Sequence, residues 1–213
     1  MKKLLFLMIA AMTTFFANAQ NAQTSSSPIN RFYVDFGGGG ASKNGAFATL
    51  GATAVIKNKW TASISYYSVD MNPKNLPSDY DRGYTLILIF PVPDPMPSAA
   101  LKMINFTGGR FFQIGRKTWF TTEAGLSVVS GKTFHFTPQK EEVSLDYISS
   151  NYSAESKSQT TIGGMVRANF NWAFCPYVGL NVGAFANMNS IQSPVGVEFK
   201  LVAGWLNTRK SSK

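Results

Sequence analysis

The chain has 213 residues, with 20 Lys and Arg against 11 Asp and Glu, a formal charge of +9 and a single cysteine, Cys175. That length fits one domain, or at most two small ones. One cysteine excludes an internal disulfide and a thiolate metal cluster. The basic residues form no run, so the isoelectric point near 9.7 does not indicate nucleic-acid binding.

The chain opens with MKKLLFLMIAAMTTFFANAQ: Lys2 and Lys3, an apolar run, then Ala17-Asn18-Ala19 as a small-x-small cleavage site. This is the pattern of a secretory signal peptide over 1–19. The apolar run is shorter than the ~20 residues of a spanning helix, and no lipobox-like cysteine follows it. The mature chain is expected to begin at Gln20, with a formal charge of +7 once Lys2 and Lys3 are lost, and to continue through a linker over 20–29. The nearest thing to another spanning helix, GYTLILIFPVP over 83–93, is too short and ends in proline.

From residue 30 onward the pattern alternates with period two. It predicts an all-β chain of about eight strands, over 30–39, 46–57, 59–69, 99–115, 117–130, 158–173, 177–187 and 194–206. In the second strand Ala46, Ala48, Leu50, Ala52, Ala54 and Ile56 oppose Phe47, Thr49, Gly51, Thr53 and Val55. In the third, Trp60, Ala62, Ile64 and Tyr66 oppose Thr61, Ser63, Ser65 and Tyr67. The fourth loses phase around TGGRFF, where a bulge at Gly108-Gly109 would restore it. The glycines 37–40 introduce no helix and so form no phosphate loop. They allow close packing and curvature at the end of the first strand.

Short turns near Lys57-Asn58-Lys59, Arg116-Lys117 and Cys175-Pro176 alternate with longer links, of which 70–98 and 131–157 are long. An even strand count with tight turns at one end and loops at the other is the pattern of a closed antiparallel transmembrane β-barrel over 30–206, followed by a basic tail, 207–213.

Two barrels fit such a sheet, and charge separates them. A soluble barrel hides its apolar face and exposes a surface of which about 25–35% is charged. Here the polar face is mostly Thr, Ser, Asn and Gly, with Arg31, Asp35, Glu123, Arg167, Glu198 and Lys200 as its charges. Three acids against three bases suit an enclosed lumen where charges must pair, with Tyr33, Phe47 and Tyr67 as filler. The apolar face then meets lipid. All four tryptophans, Trp60, Trp119, Trp172 and Trp205, lie beside a short turn or at the matching strand end. They are read as an aromatic belt at the periplasmic headgroup level. Of the 11 acids, eight fall in the two long links: Asp70, Asp79, Asp81, Asp94, Glu141, Glu142, Asp146 and Glu155.

The ANAQ signal end, the alternating strands and the closing strand PVGVEFKLVAGWLNTRKSSK resemble the small bacterial outer-membrane β-barrel proteins with an OmpA/OmpX-like transmembrane domain, including those of Bacteroidetes-type bacteria. The resemblance spans nearly the whole mature chain and is architectural. It implies termini in the periplasm, long loops outside, contact with outer-membrane lipid and lipopolysaccharide, and passage through the barrel assembly machinery, which reads the last strand. Members often end on an aromatic residue, whereas here Trp205 is followed by Leu206 and the basic tail.

His135, the only histidine, lies in SGKTFHFTPQKEE. With Glu141 or Glu142 it would form a rim site for hydrolysis, but nothing in the sequence fixes it, and a solvated loop histidine is the favoured reading. Asp79 and Asp81 in SDYDR read as solvated acids or a weak divalent-cation contact. The link with Leu86, Ile87, Leu88, Ile89, Phe90, Pro91, Pro93, Pro95 and Pro97 has two readings. It is either a hairpin extending the barrel or an exposed stiff apolar segment for docking. No cofactor, metal or catalytic residue is expected. The function expected is structural or surface-interacting, for instance as an accessory subunit with an envelope protein partner. A narrow channel for small solutes is the alternative, followed by a lipid hydrolase or protease.

Overall fold

A strand with period-two alternation has one apolar and one polar face, and rolling the sheet into a ring encloses one of them. The computed structural model describes residues 28–87, 90–93, 96–140 and 147–206. In chain order its strands are β1 (Ile29–Ala41), β2 (Gly45–Ile56), β3 (Trp60–Met71), β4 (Tyr84–Ile87), β5 (Phe90–Pro93), β6 (Ala99–Gln113), β7 (Thr118–Pro138), β8 (Tyr147–Ile148), β9 (Tyr152–Ala173), β10 (Val178–Met188) and β11 (Val195–Trp205). Eight of them close an antiparallel barrel in the order β1-β11-β10-β9-β7-β6-β3-β2. The segments expected to be signal peptide and basic tail, and nearly all of the expected linker, lie outside the described residues.

The polar face is inside. Thr53, Thr61, Ser65, Asn105, Thr121, Asn169, Asn171 and Asn181 are buried, while Phe36, Leu50, Ile64, Phe106, Leu126, Ile162, Val182 and Phe199 are exposed. In water this would be an inverted protein. With lipid around it, burial outside and burial inside are both satisfied.

Tight turns join β2 to β3, β6 to β7 and β9 to β10, and both Pro28 and Leu206 sit at that same end, bonded to Lys57 and Pro176 respectively. Two hairpins repeat one device. In 42–45 and 56–59 a Lys-Asn pair occupies the centre, with φ of 57° and 53° at Lys43 and Asn44 and 52° at both Lys57 and Asn58. Two successive left-handed residues make the type I′ turn that matches strand twist, and Asn tolerates that region.

Two expectations are corrected here. There is no bulge at Gly108-Gly109: β3 pairs β6 without a shift from Trp60 opposite Arg110 to Met71 opposite Ala99. Gly109 keeps the lumen parity because a β-carbon there would strike Thr122 and Glu123 backbone. The link 131–157 is mostly strand. β7 and β9 stay paired from Gly131 opposite Gln159 to Pro138 opposite Tyr152, forming a two-stranded ribbon about 25 Å long at 3.3 Å per residue. Of the two readings of the link 70–98, its backbone takes the hairpin, β4 with β5, and β8 from the next loop adds to β4 to make a small three-stranded sheet.

Candidate functional site in the lumen and at the rim

The lumen is built in three layers. At the turn end Tyr33, Val55, Phe111, Trp119, Ala173, Val202 and Leu206 form one buried apolar cluster. At the loop end Phe47, Tyr67, Val69, Met71, Leu101, Met103, Val129, Met165, Phe185 and Ile191 belong to another. Phe47, Tyr67 and Phe185 interlock there, with ring centroids 4.9–5.7 Å apart. The lumen charges other than Arg31 lie between these plugs.

Glu123 is the hub of that middle layer. It accepts bonds from Arg167 Nε at 2.6 Å and Arg167 Nη2 at 2.5 Å, from Thr107 at 2.8 Å and from Ser63 at 3.1 Å. Three strands around the ring, on β11, Lys200 Nζ donates to Glu198 at 2.8 Å and lies 3.4 Å from Asp35, and Tyr67 donates to the other Glu198 oxygen at 2.6 Å. Glycines make the room. A β-carbon on Gly51 would lie 3.0 Å from the Asp35 carboxylate, and one on Gly37 would lie 2.7 Å from Lys200 Cα. A buried ion pair gains from such close geometry only when its remaining polar groups are also bonded.

All six residues expected to carry lumen charge are buried, but they are not one network. Arg31 lies in the turn-end plug. Its guanidinium sits 4.7 Å from the Trp119 ring and 4.9 Å from Phe111, and its Nη2 donates to Gln113 at 2.5 Å. Aromatic faces take the place of a carboxylate there. The middle layer therefore holds three carboxylates against Arg167 and Lys200, and Arg31 supplies the balancing charge from a distance.

Trp119 corrects a third expectation. Trp60, Trp172 and Trp205 are 51%, 50% and 41% exposed at the turn end of the outer face, whereas Trp119 is 1% exposed inside the barrel. Parity decides it: Trp119 is on the same face of β7 as Thr121 and Glu123. Trp60 carries the Arg110 guanidinium 4.3 Å above its ring.

The loop end is not uniformly acidic, because Lys43, Lys74, Arg82, Lys102, Lys132, Lys140 and Lys157 are exposed there too. Asp79 and Asp81 are structural. Asp79 accepts from the Tyr152 hydroxyl at 3.0 Å, its backbone carbonyl accepts from Asn151 Nδ2 at 2.7 Å, and the Asp81 amide donates to Asn151 Oδ1 at 2.8 Å. Tyr80, between them, stacks on Tyr152 and meets Phe136 edge-on. The first long loop is thus clasped to the ribbon tip. The bond to Asp79 and the charge of its carboxylate push the Tyr152 hydroxyl above its usual pKa.

His135 lies exposed on the ribbon, opposite Glu155. Glu141, Glu142, Asp94 and Asp146 lie outside the described residues. So do Leu88, Ile89 and Pro95 of the docking segment, and of Leu86, Ile87, Phe90 and Pro91 only the backbone is described. That backbone forms the β4–β5 hairpin, with Pro93 opposite Tyr84. Among the described residues, two recesses lie outside the lumen. One of about 520 Å³ is on the outer face at Phe32, Ala52, Ala54 and Ala62. The other, about 180 Å³, is at the loop mouth between Lys74, Phe134 and Gln192.

Sequence reading missed the loop-end plug and the clasp. The plug was findable. Val69, Met71, Leu101, Met103, Val129, Met165 and Phe185 all have the lumen parity of their strands and turn apolar toward the loops. No short-range pattern links Asp79 to Tyr152.

No family model matches the sequence, and no curated protein matches it. Solved structures do. The N-terminal β-barrel domain of Pseudomonas aeruginosa OprF aligns at 7% identity over 83% of this chain and 98% of that one, with a TM-score of 0.51. Neisserial surface protein A aligns at 16% identity over 82% and 96%, with a TM-score of 0.49. The Yersinia pestis attachment invasion locus protein Ail aligns at 11% over 82% and 95%, with a TM-score of 0.47. The chain has the fold of the small eight-stranded outer-membrane β-barrels, the OprF domain being the comparison that carries this.

Proposed function

We propose that this is a non-enzymatic outer-membrane barrel that acts through its outer surface, with its termini in the periplasm and its loops outside. It sits in outer-membrane lipid and lipopolysaccharide after insertion by the barrel assembly machinery, and its rim meets a protein partner at the cell surface. The observation that carries this reading is the layered lumen. Two apolar plugs close an ion-paired middle, while the loops build ordered surface: a clasped ribbon and a three-stranded sheet. An eight-stranded barrel has an interior just wide enough for its own side chains, which leaves the loops as the place where function resides. Trp60, Trp172 and Trp205 fit a belt at the periplasmic headgroups.

Purified protein in a planar bilayer is expected to give no steady conductance, and steady single-channel steps would establish the channel instead. Orientation is tested separately. In a Cys175→Ser background, a cysteine at Asn75 should react with an impermeant reagent on intact cells. Reaction only after the outer membrane is opened would invert the topology.

A further inference from the structure

Among the described residues, the β7–β9 ribbon carries a bare edge. The β9–β10 pairing stops at Gly164 opposite Met188, and the loop after β10 reaches up only to Thr161, through Ser190. Above that point residues 153–160 are all exposed, on both faces of the strand. A two-stranded ribbon in water is marginal by itself, and a bare strand edge is a template for another strand. Edges are usually blunted, and β5 carries Pro91 and Pro93. The β9 edge has no proline.

The direction of its backbone groups can be read off. The Ala173 amide donates to Lys117, and the Asn151 carbonyl accepts from Gln139. Odd-numbered positions of β9 therefore face β7. The pairing has no register shift, so Ala154, Ser156, Ser158 and Thr160 turn their N–H and C=O toward the bare edge. Glu155 and Lys157 flank Ser156, on one face of the strand.

We propose that this edge pairs antiparallel with the same edge of a second copy held in an apposed membrane, about a two-fold axis at Ser156. This deepens the surface-interaction reading above and rests on it. At that register Ser156 exchanges both backbone bonds with its own counterpart, and Ala154 exchanges bonds with the other copy's Ser158. Glu155 and Lys157 then become directly opposed non-hydrogen-bonded pairs, where side chains come closest, in both halves of a self-complementary contact. Of the remaining exposed positions, Ala154 opposes Ser158 and Ser153 opposes Gln159, so each pair includes at least one small residue. The same pattern selects the geometry. Two copies upright in one membrane run β9 in the same direction and are related by a two-fold axis along the strands, which puts Glu155 and Lys157 of the two copies on opposite faces of the joint sheet, where neither meets its counterpart or the opposite charge. Only copies rising from facing membranes bring opposite charges together.

The test uses single mature barrels in lipid nanodiscs, which expose the loops whichever way the barrel inserts, with disc pairing followed by sedimentation. Wild-type discs pair. Glu155→Lys and Lys157→Glu each place like charges opposite and weaken pairing on the order of tenfold. A mixture of the two variants restores it, because each then meets the opposite charge. That rescue also shows that both variants are folded. Ser156→Pro removes a donor pointing away from β7, so it abolishes pairing while leaving a heat-modifiable barrel. Wild-type discs that stay single at the highest reachable concentration overturn the proposal. So do single variants that pair as wild type does, or a mixture that stays unpaired. Disc pairing does not depend on which side of the cell envelope the loops face, and intact-cell labelling at Asn75 does not depend on pairing, so the two readings fail separately.

Discussion

The middle of the lumen and the β7–β9 ribbon are made from the same strands, yet they treat polar groups in opposite ways. Glu123 and Arg167 lie directly opposite across β7 and β9 and are buried, bonded to each other and shielded by a plug at either end. Further along those strands, Glu155 and Lys157 are exposed, with His135 and Thr133 opposite them. In the lumen a charge must find its partner within the chain, because no water competes and an unpaired ion is costly. On the ribbon water serves as the partner, and a pair of exposed charges contributes little to stability. The barrel therefore depends on keeping its interior charges paired and leaves its exterior ones free for contact.

That contrast breaks first at Arg167. Arg167→Ala leaves Glu123 buried with only hydroxyl donors and is expected to destabilise the barrel by about 3–5 kcal/mol. The matching change on the ribbon, Lys157→Ala, should cost no more than about 0.5 kcal/mol. Urea unfolding in detergent micelles or bilayers checks both. The double variant Glu123→Ala/Arg167→Ala should recover part of the loss, and equal losses at Arg167 and Lys157 would erase the distinction between the two regions.

Tryptophan sharpens it next. Trp119 stacks near Arg31 and Tyr33 inside the ring, so Trp119→Phe should cost roughly 1–3 kcal/mol, the range for an imperfect core replacement. Trp60→Phe on the outer face should stay within about 0.5 kcal/mol. Brominated lipid gives an independent readout. In variants retaining one tryptophan each, fluorescence from Trp60, Trp172 and Trp205 should be quenched and that from Trp119 should persist.

These two regions also differ in how far the sequence revealed them. The strands, the face that meets lipid and all six buried charges were legible, because period-two alternation maps parity directly onto side. The error at Trp119 came from judging position along the strand without its parity, since Trp119 and Glu123 share a face. The error at Gly108-Gly109 came from expecting a side chain at every alternate site, although a glycine holds phase where a neighbouring backbone leaves no room. Arg31 shows the limit of counting charges. Neutrality is a property of the whole lumen, but pairing depends on distances that alternation does not encode. Above the rim the signal fades because both faces of the ribbon meet water. Polarity then no longer distinguishes strand from loop, and residues 131–138 and 152–157 read as irregular although they pair throughout.

The smallest expected effect is at the clasp, where the ribbon meets the loop carrying Asp79. The Tyr152 hydroxyl donates to the Asp79 carboxylate, and that bond holds the phenol above its ordinary pKa. A raised folded-state value means that the clasp favours the protonated phenol. Its contribution is complete below the ordinary tyrosine value of about 10 and is lost as pH climbs through the raised value. Neutral and mildly alkaline buffers should therefore leave the loop seated, and only strong alkali should release it. Tyr152→Phe retains the ring that stacks 6.3 Å from Tyr80 but removes the donor, so it should mimic the alkaline state at neutral pH without unfolding the barrel. The Asp81 amide is a local reporter, since it donates to Asn151 within the same clasp. Its hydrogen exchange should speed up a few-fold in Tyr152→Phe, while amides in the paired β3 and β6 strands stay unchanged. Equal exchange in the two proteins would assign the clasp to Tyr80 stacking and the Asn151 bonds alone, and would remove its sensitivity to pH.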